Sequence, residues 1–335
     1  MTVVLLNDEK EWDSIIDKSE KGLLFHKWKF LKIAEARSGY RFLPYGVYKG
    51  DELICVFPLF YKKENGLKMM FSPPPMLCIP YLGFVMSTLY SGLKQKRKET
   101  YMNFVIEEMD AEIKKYSPNY ISISLAPNII DIRPFQWNDY NEVSRYTYFV
   151  DLKKPLDDIW NGFDSTCRKN IKKGERLGLK IVEENNPDTF YIMMKNRYNE
   201  QGLNLPLKDP QFLKDIMDAF PENLKMYFLY RSDEIISMNL NYEYKGRAMV
   251  WLGSVKLENG IDGNDFLIWE FIKKAKEAGF NEFEIEGASE KRLSLFKSKF
   301  NPRLDISFSV YKKDNIGKIA EWTYLNLIKK RVLNL

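Results

Sequence analysis

The chain echoes itself at long range, and this constrains its fold more than any single motif. Residues 45–62 read YGVYKGDELICVFPLFYK and residues 228–245 read FLYRSDEIISMNLNYEYK. Each is an apolar strand, a tight turn and a second apolar strand. The turn Tyr48-Lys49-Gly50-Asp51-Glu52-Leu53-Ile54 matches Tyr230-Arg231-Ser232-Asp233-Glu234-Ile235-Ile236. Gly and Asp supply the turn chemistry, and the flanking alternation supplies the strands. Helical segments precede both hairpins, and a further strand and a longer helix follow both. The pattern predicts two copies of one α/β module.

In the first copy a strand is expected over 3–6, and Asn7 or Asp8 caps a helix carrying Trp12 and Ile16. Residues 28–37 read as a helix. SPPPMLCIPYLG is a stiff loop, because each proline fixes φ and removes a donor. A long helix is expected over 94–115 and an alternating strand over 120–125. VSRYTYFVDL then reads as a strand leading into the helix start KKPLDDIW, which divides the chain into domains 1–150 and 151–335. In the second copy 201–210 is a loop, 211–219 a helix, 305–311 the strand closing its sheet, and 318–333 a terminal helix. The tail Lys329-Lys330-Arg331 suits a solvated helix end, with attraction to a membrane surface as the lesser reading.

A length of 335 residues suits two ordinary domains, and 45% hydrophobic with 29% charged residues marks a folded chain. The formal charge of +5 is too small to argue for duplex DNA, but suits a phosphate-bearing substrate or brief contact with RNA or an anionic membrane face. Cys55, Cys78 and Cys167 have no zinc spacing and read as reduced thiols of a cytoplasmic protein. The start MTVVLLNDEKEWD does not look like a signal peptide, and no apolar run is long enough to span a bilayer. A single histidine, His26, excludes multi-histidine metal sites and reads as structural; no metal site is expected. Walker A, HExxH and G-x-G-x-x-G motifs are absent from the sequence.

Two segments carry candidate chemistry. Residues 250–300 contain VWLGS, a polar loop ending GIDGND, the helical run FLIWEFIKKAKEAGF, the strand-like NEFEIEG and the basic-aromatic RLSLFKSKF. This is a β–α–β unit whose loop opens onto a helix N-terminus, where free N–H groups favour anions. Phe296 and Lys297 fall just past the next strand, near the same sheet edge. The other segment is DSTCRKNIKKGERLGLKI, at 164–181. There Asp164 or Ser165 caps a helix on which Arg168, Lys172 and Arg176 share a face, with Lys169 and Lys173 beside them. Stacked like charges ask for an anionic partner such as a phosphate or pyrophosphate. A solvated basic face is the alternative. In FHKWKFLK, Lys32 lies one turn beyond Trp28 and is placed to reach a cleft between the modules.

The ordered series FHKWKFLK, FSPPP, YLGFV, YTYFVDLKKPLDDIWNGFDSTCRKNIKKGERLGLKI, WLGS, GNDFLIWEFIKKAKEAGF, EIEGAS and LFKSKF resembles the Fem-type aminoacyltransferases (the FemABX or lipid II glycyltransferase group) and their BioF2-like relatives. The resemblance covers most of the chain and is densest over 146–300. It implies an α/β (α+β) fold of two tandem GNAT-like domains, here with no coiled-coil arm. It implies transfer of an aminoacyl group from aminoacyl-tRNA, as co-substrate and without a cofactor, to an amine of a nucleotide- or lipid-linked muropeptide-like cell-wall precursor. A cytoplasmic enzyme with peripheral contact at the inner membrane face is the implied setting. Lys297, with Phe296, matches the family's catalytic lysine position. Trp251 matches an aromatic that contacts the precursor, and Lys32 a lysine near its diphosphate. Arg168, Lys169, Lys172 and Arg197 complete the expected substrate-binding set.

The chain also departs from that pattern. Ala126 stands where relatives carry an acidic residue, and Glu200-Gln201-Gly202 lacks an expected basic residue, for which Arg197 is the substitute one turn earlier. The main rival reading is an acyl-CoA-dependent N-acyltransferase on the same fold. Against it, Asn259-Gly260-Ile261-Asp262-Gly263-Asn264-Asp265 lacks the usual phosphate-loop spacing and carries two repelling aspartates. A non-catalytic binding protein that keeps the fold is a second alternative.

Overall fold

In chain order the elements are β1 (Thr2–Leu5), α1 (Glu9–Lys18), α2 (Trp28–Ser38), β2 (Arg41–Lys49), β3 (Glu52–Glu64), β4 (Leu67–Ser72), β5 (Val85–Met86), α3 (Thr88–Ser91), α4 (Gln95–Tyr116), β6 (Tyr120–Ser124) and α5 (Arg133–Trp137). They continue with β7 (Asn141–Asp151), α6 (Leu156–Gly162), α7 (Ser165–Arg176), β8 (Lys180–Glu183), α8 (Pro187–Glu200), α9 (Gln211–Ala219), β9 (Leu224–Arg231), β10 (Glu234–Tyr244), β11 (Arg247–Val255), α10 (Gly263–Glu277), β12 (Glu282–Ile285), α11 (Lys291–Lys297), β13 (Arg303–Lys313) and α12 (Asn315–Thr323). This computed structural model describes residues 1–127, 129–255 and 263–323. The basic tail 329–331 and the loop residues 259–262 lie outside the described residues.

The chain divides into two units, Met1–Ser144 with Ser307–Leu335, and Arg145–Ile306. The two hairpins that echo each other in sequence are the same in detail. Lys49 pairs with Glu52 and Arg231 with Glu234, leaving the loops Gly50-Asp51 and Ser232-Asp233. The first loop residue has positive φ in both, 60° at Gly50 and 51° at Ser232. Each then carries a bulge at the same place: Ile54 and Ile236 are skipped in the pairing. In the first unit the pairing order is β1-β2-β3-β4-β6, with β4 parallel to β6. In the second it is β8-β9-β10-β11-β12, with β11 parallel to β12. The parallel steps need crossover helices, supplied by α4 and α10.

The closing strands differ from the sequence expectation. The last strand does not finish the second unit's sheet. Its residues Ser309–Lys313 pair antiparallel with Ser124–Tyr120 of β6, in the first unit. The free edge of β12 is taken by β7, with Glu282 opposite Asp151 and Ile285 opposite Tyr148. Each sheet is thus completed by the strand that follows the other copy. The units therefore depart from the expected division at 150/151 at both ends of the second copy. Alternation in a strand shows that one face is buried, and says nothing about which edge accepts it.

Local signals agree with the elements. The Asp8 side chain accepts from the N–H groups of Lys10 and Glu11 at 2.8 and 3.0 Å, and Asp164 accepts from Thr166 N–H at 2.7 Å. In the first unit α4 buries Met102, Val105, Ile106 and Met109 against Leu43, Phe57 and Ile121 of the sheet. In the second, α7 and α10 bury Ile171, Leu267, Phe271 and Ile272 against Leu229, Ala248 and Phe283. Burying each such large side chain contributes about 1.5–3 kcal/mol.

Candidate active site

In the second unit the parallel strands β11 and β12 pair from Arg247–Glu282 to Val250–Ile285 and then part. Beyond that point β11 stays with β10, Leu252 opposite Leu240. The chain after β12 stays with β7: Ala288 N–H donates to Tyr146 O at 2.8 Å, and Tyr146 N–H to Ser289 Oγ at 3.0 Å. The carbonyls of Glu286 and Gly287 therefore leave their parallel neighbour where the ladder ends. Such a parting of strands exposes backbone polar groups that must find other partners.

The partner is Lys297. Its ammonium donates to Glu286 O and, at 2.8 Å, to Gly287 O. Gly287 sits at φ 82°, and a Cβ built there would lie 3.3 Å from Lys297 Nζ, so glycine serves both the backbone and the approach of the ammonium. Helix α11 is held in place by two more polar contacts. Ser294 Oγ and Tyr148 Oη share a hydrogen bond of 2.9 Å, and Arg292 donates to Gln201 Oε1 at 2.9 Å.

Carboxylates surround this lysine. Glu284 is fully buried, accepts from Thr147 Oγ1 at 2.7 Å and lies 3.6 Å from Arg247. Glu286 and Lys297 keep some exposed surface, but their charged ends are desolvated. Burial pushes the Glu286 carboxyl above the ordinary range; Lys297 opposes this, Glu284 adds to it, and Arg145 opposes it. Burial likewise lowers the Lys297 ammonium, with Glu286 and Glu284 pulling it back up. An acid raised and a base lowered in one place form a pair suited to proton transfer.

Residues 162–292 match the family model described as "Acetyltransferase (GNAT) domain". The fold of the chain is that of FemX. FemX superposes with a TM-score of 0.68 at 13% identity, covering 92% of this chain and 97% of that one. L-PGS from Bacillus licheniformis superposes with a TM-score of 0.56 at 13% identity, covering 97% of both chains. A tandem GNAT protein from the clavulanic acid biosynthesis pathway gives 0.53 at 9% identity over 93% of this chain and 98% of that one. No curated protein matches at the sequence level. Residues 162–292 thus match a GNAT domain model, and the chain as a whole has the fold seen in FemX and in a tandem GNAT protein.

The residues expected from the sequence separate into groups. Lys297 stands at the end of the parallel ladder. Phe296 packs on the core and 6.0 Å from the Phe300 ring, with Lys299 Nζ 4.2 Å from its own ring, so its role is to seat α11. Trp251 is buried one residue beyond the last β11–β12 pair. Arg197 is held by Glu200 at 3.0 Å, and Gln201, which follows, receives a guanidinium from Arg292. Arg292 of α11 thus brings a cation to Gln201, a long-range placement that no local spacing signals. Arg168 donates to Asn161 O at 3.0 Å and to Phe163 O, capping the end of α6. Lys169 and Lys172 are exposed, with Lys172 Nζ 5.9 Å from the Trp160 ring. Lys32, in the first unit, is exposed and paired with Glu35. His26 is buried there; its Nδ1 accepts from Leu23 N–H at 3.1 Å and its Nε2 donates to Leu82 O at 3.0 Å, a structural role.

The end of the parallel ladder is handled differently in the first unit. There β4 and β6 pair to Ser72–Ile123. Beyond it the proline-rich loop returns: Leu82 bridges Leu125, with Leu82 N–H donating to Ser124 O at 2.8 Å. Gly83 lies at φ 73°, its missing Cβ 2.9 Å from Leu125 Cδ2 and 3.3 Å from Leu125 Cα, so a side chain there is strained. Leu77, Tyr81 and Leu82 are buried in this loop. A cavity of about 300 Å³ in this unit, lined by Val3, Leu5, Tyr45 and Tyr116, is built from none of the residues singled out in sequence.

At the N-terminus of α10 the first described turn carries Asp265. It is fully buried, accepts from Asn170 at 2.7 Å and pairs with Lys299 at 2.5 Å. A Cβ on Gly263 would meet Leu229 Cδ2 at 2.6 Å. A carboxylate thus stands in the first turn of this helix, where the dipole favours it.

Proposed function

We propose that the protein is an aminoacyltransferase that moves an aminoacyl group from aminoacyl-tRNA to an amine of a cell-envelope precursor, a nucleotide- or lipid-linked muropeptide. The observation that carries this reading is the Lys297 ammonium seated at the end of the β11–β12 ladder beside Glu286. An ammonium has three N–H donors, and two serve the Glu286 and Gly287 carbonyls. The third faces the oxygen that becomes negative when an amine attacks the ester carbonyl. Glu286 takes the proton that the attacking amine loses. The new C–N bond forms, the ester C–O bond breaks, and the proton leaves with the released ribose hydroxyl. Supporting the aminoacyl reading are the Fem-type resemblance, the FemX fold and the likeness to L-PGS.

The acyl-CoA reading is supported by the match to the GNAT domain model. Asp265 opposes it, since a pyrophosphate docked at α10 would meet a buried carboxylate in the first turn. Incubating the protein with charged tRNA or acetyl-CoA, plus muropeptide precursors, and following product mass decides between them. Mass gain by an aminoacyl residue from charged tRNA is the expected result. Acetyl transfer from acetyl-CoA alone overturns it.

A further inference from the structure

The spacing on helix α7 predicts cations offered to a phosphate or pyrophosphate, with a solvated basic face as the alternative. The structure points elsewhere. Arg168 is consumed by the carbonyls ending α6. Cys167, Ile171 and Gly174 face inward, with Gly174 pressed on Phe266 of α10. This leaves Lys169, Lys172, Lys173 and Arg176 exposed together on the outer side, with Glu175 the one acid among them. Lys169, Lys172 and Arg176 have no ion pair to a carboxylate among the described residues. Like charges spaced by three and four positions destabilise a helix that has no counter-ion.

Length decides what that counter-ion is. At about 1.5 Å rise per residue, Lys169 to Arg176 spans about 10 Å. One diphosphate cannot contact cations over that distance, whereas about three successive phosphates of a nucleic-acid strand can, at about 3.4 Å of rise each. A lipid surface fits less well. A helix lying on a bilayer inserts an apolar face, and the apolar stripe of α7 is already buried in the protein. No side chain here is placed to read bases, which suits contact with a backbone irrespective of sequence.

We propose that the outer face of α7, through Lys169, Lys172, Lys173 and Arg176, is a docking surface for the sugar–phosphate backbone of the donor RNA. This rests on the aminoacyl-tRNA reading above and assigns the RNA body to a surface distinct from Lys297.

The test is titration of uncharged tRNA by fluorescence anisotropy, from about 50 to about 200 mM salt. The wild type is compared with Lys169→Ala/Lys172→Ala/Lys173→Ala/Arg176→Ala and with a control, Lys96→Ala/Lys98→Ala, on α4. Losing the contacts to about three phosphates lowers the salt slope by about 2.7, so the quadruple variant loses about 40-fold less affinity over that range than the wild type. At the low-salt end it binds more weakly by at least about tenfold, and the control binds as the wild type does. Anionic phosphatidylglycerol vesicles form a parallel arm. Equal tRNA affinity and slope in wild type and quadruple variant overturn the proposal, as does binding of the wild type to vesicles but not to tRNA. Aminoacyl transfer separates the two levels of inference. A wild type that transfers from charged tRNA while the quadruple variant transfers equally well removes only the docking surface. A wild type with no such transfer removes the donor reading itself.

Discussion

Replacing Lys297 by methionine keeps most of the unbranched side chain and removes its charge. At about 4 Å and an effective dielectric of about 20, a cation stabilises an adjacent oxyanion by about 4 kcal/mol. At about 1.4 kcal/mol per factor of ten, this corresponds to a fall in kcat of about 10²–10³. KM is expected to stay within about threefold, because the charge is needed in the transition state and not in the ground state. Fold stability changes little. The variant loses donors to Glu286 O and Gly287 O, but no longer carries an ammonium whose burial is unfavourable. The pH dependence has a definite sign. Activity that requires the protonated lysine falls as pH rises through its folded value, which lies below 10.5. A lysine lowered in the folded state costs stability while protonated, and that cost is relieved as pH climbs from the folded value to 10.5. Wild type should therefore gain thermal stability relative to Lys297→Met across that alkaline window. Steady-state kinetics with charged tRNA, together with melting curves against pH, measure all of this. An unchanged kcat with a raised KM refutes the argument and makes Lys297 a binding residue.

Glu286→Gln should lose the acidic limb of the rate profile. In the wild type the carboxylate form is lost as pH falls through a value above the ordinary 4.5, and the amide does not titrate. The same shift means that ionised Glu286 costs stability, present in full at low pH and eroded as pH rises through the folded value, so the glutamine variant should melt higher at neutral pH. An unaltered acidic limb removes Glu286 from proton transfer. Arg168→Ala should lower stability by about 1–3 kcal/mol, because the carbonyls of Asn161 and Phe163 lose a charged donor. Urea melts and tRNA titrations check it; weaker tRNA binding with unchanged stability would contradict the capping role.

Much of the fold was legible because it was written twice. The echo of Tyr48–Ile54 in Tyr230–Ile236 carried turn, register and even bulge, since all three follow from the local backbone. The exchange of closing strands was not legible. Both β6 and β12 offer an edge to an antiparallel strand, so the choice between β7 and β13 rests on connections far along the chain. For the candidate site, Lys297 is singled out by a resemblance in motif order. Glu286 was missed, although NEFEIEG displays it, because an exposed strand-end glutamate and a desolvated one look alike in sequence. Arg168 was misjudged for the converse reason. Its spacing on α7 is that of a phosphate-binding column, while its guanidinium reaches the end of the preceding helix, which periodicity does not report.

The duplication poses one last question, which fold alone cannot answer: why the chemistry should belong to the second copy. Both units contain the same ladder end, at Ser72–Ile123 and at Val250–Ile285. In the first, the chain fills that place with its own backbone: Leu82 bonds to Ser124, Gly83 to Ser72 Oγ, and His26 holds Leu82 from the other side. All of those polar groups are satisfied within the protein, and apolar side chains close around them. In the second, the equivalent carbonyls are met by a charged side chain beside the buried Glu284 and the partly buried Glu286. Keeping desolvated charge there carries a cost that a hydrophobic plug would avoid. Where a fold has solved the same packing problem once without charge and once with it, the charged solution is the one that answers to a substrate.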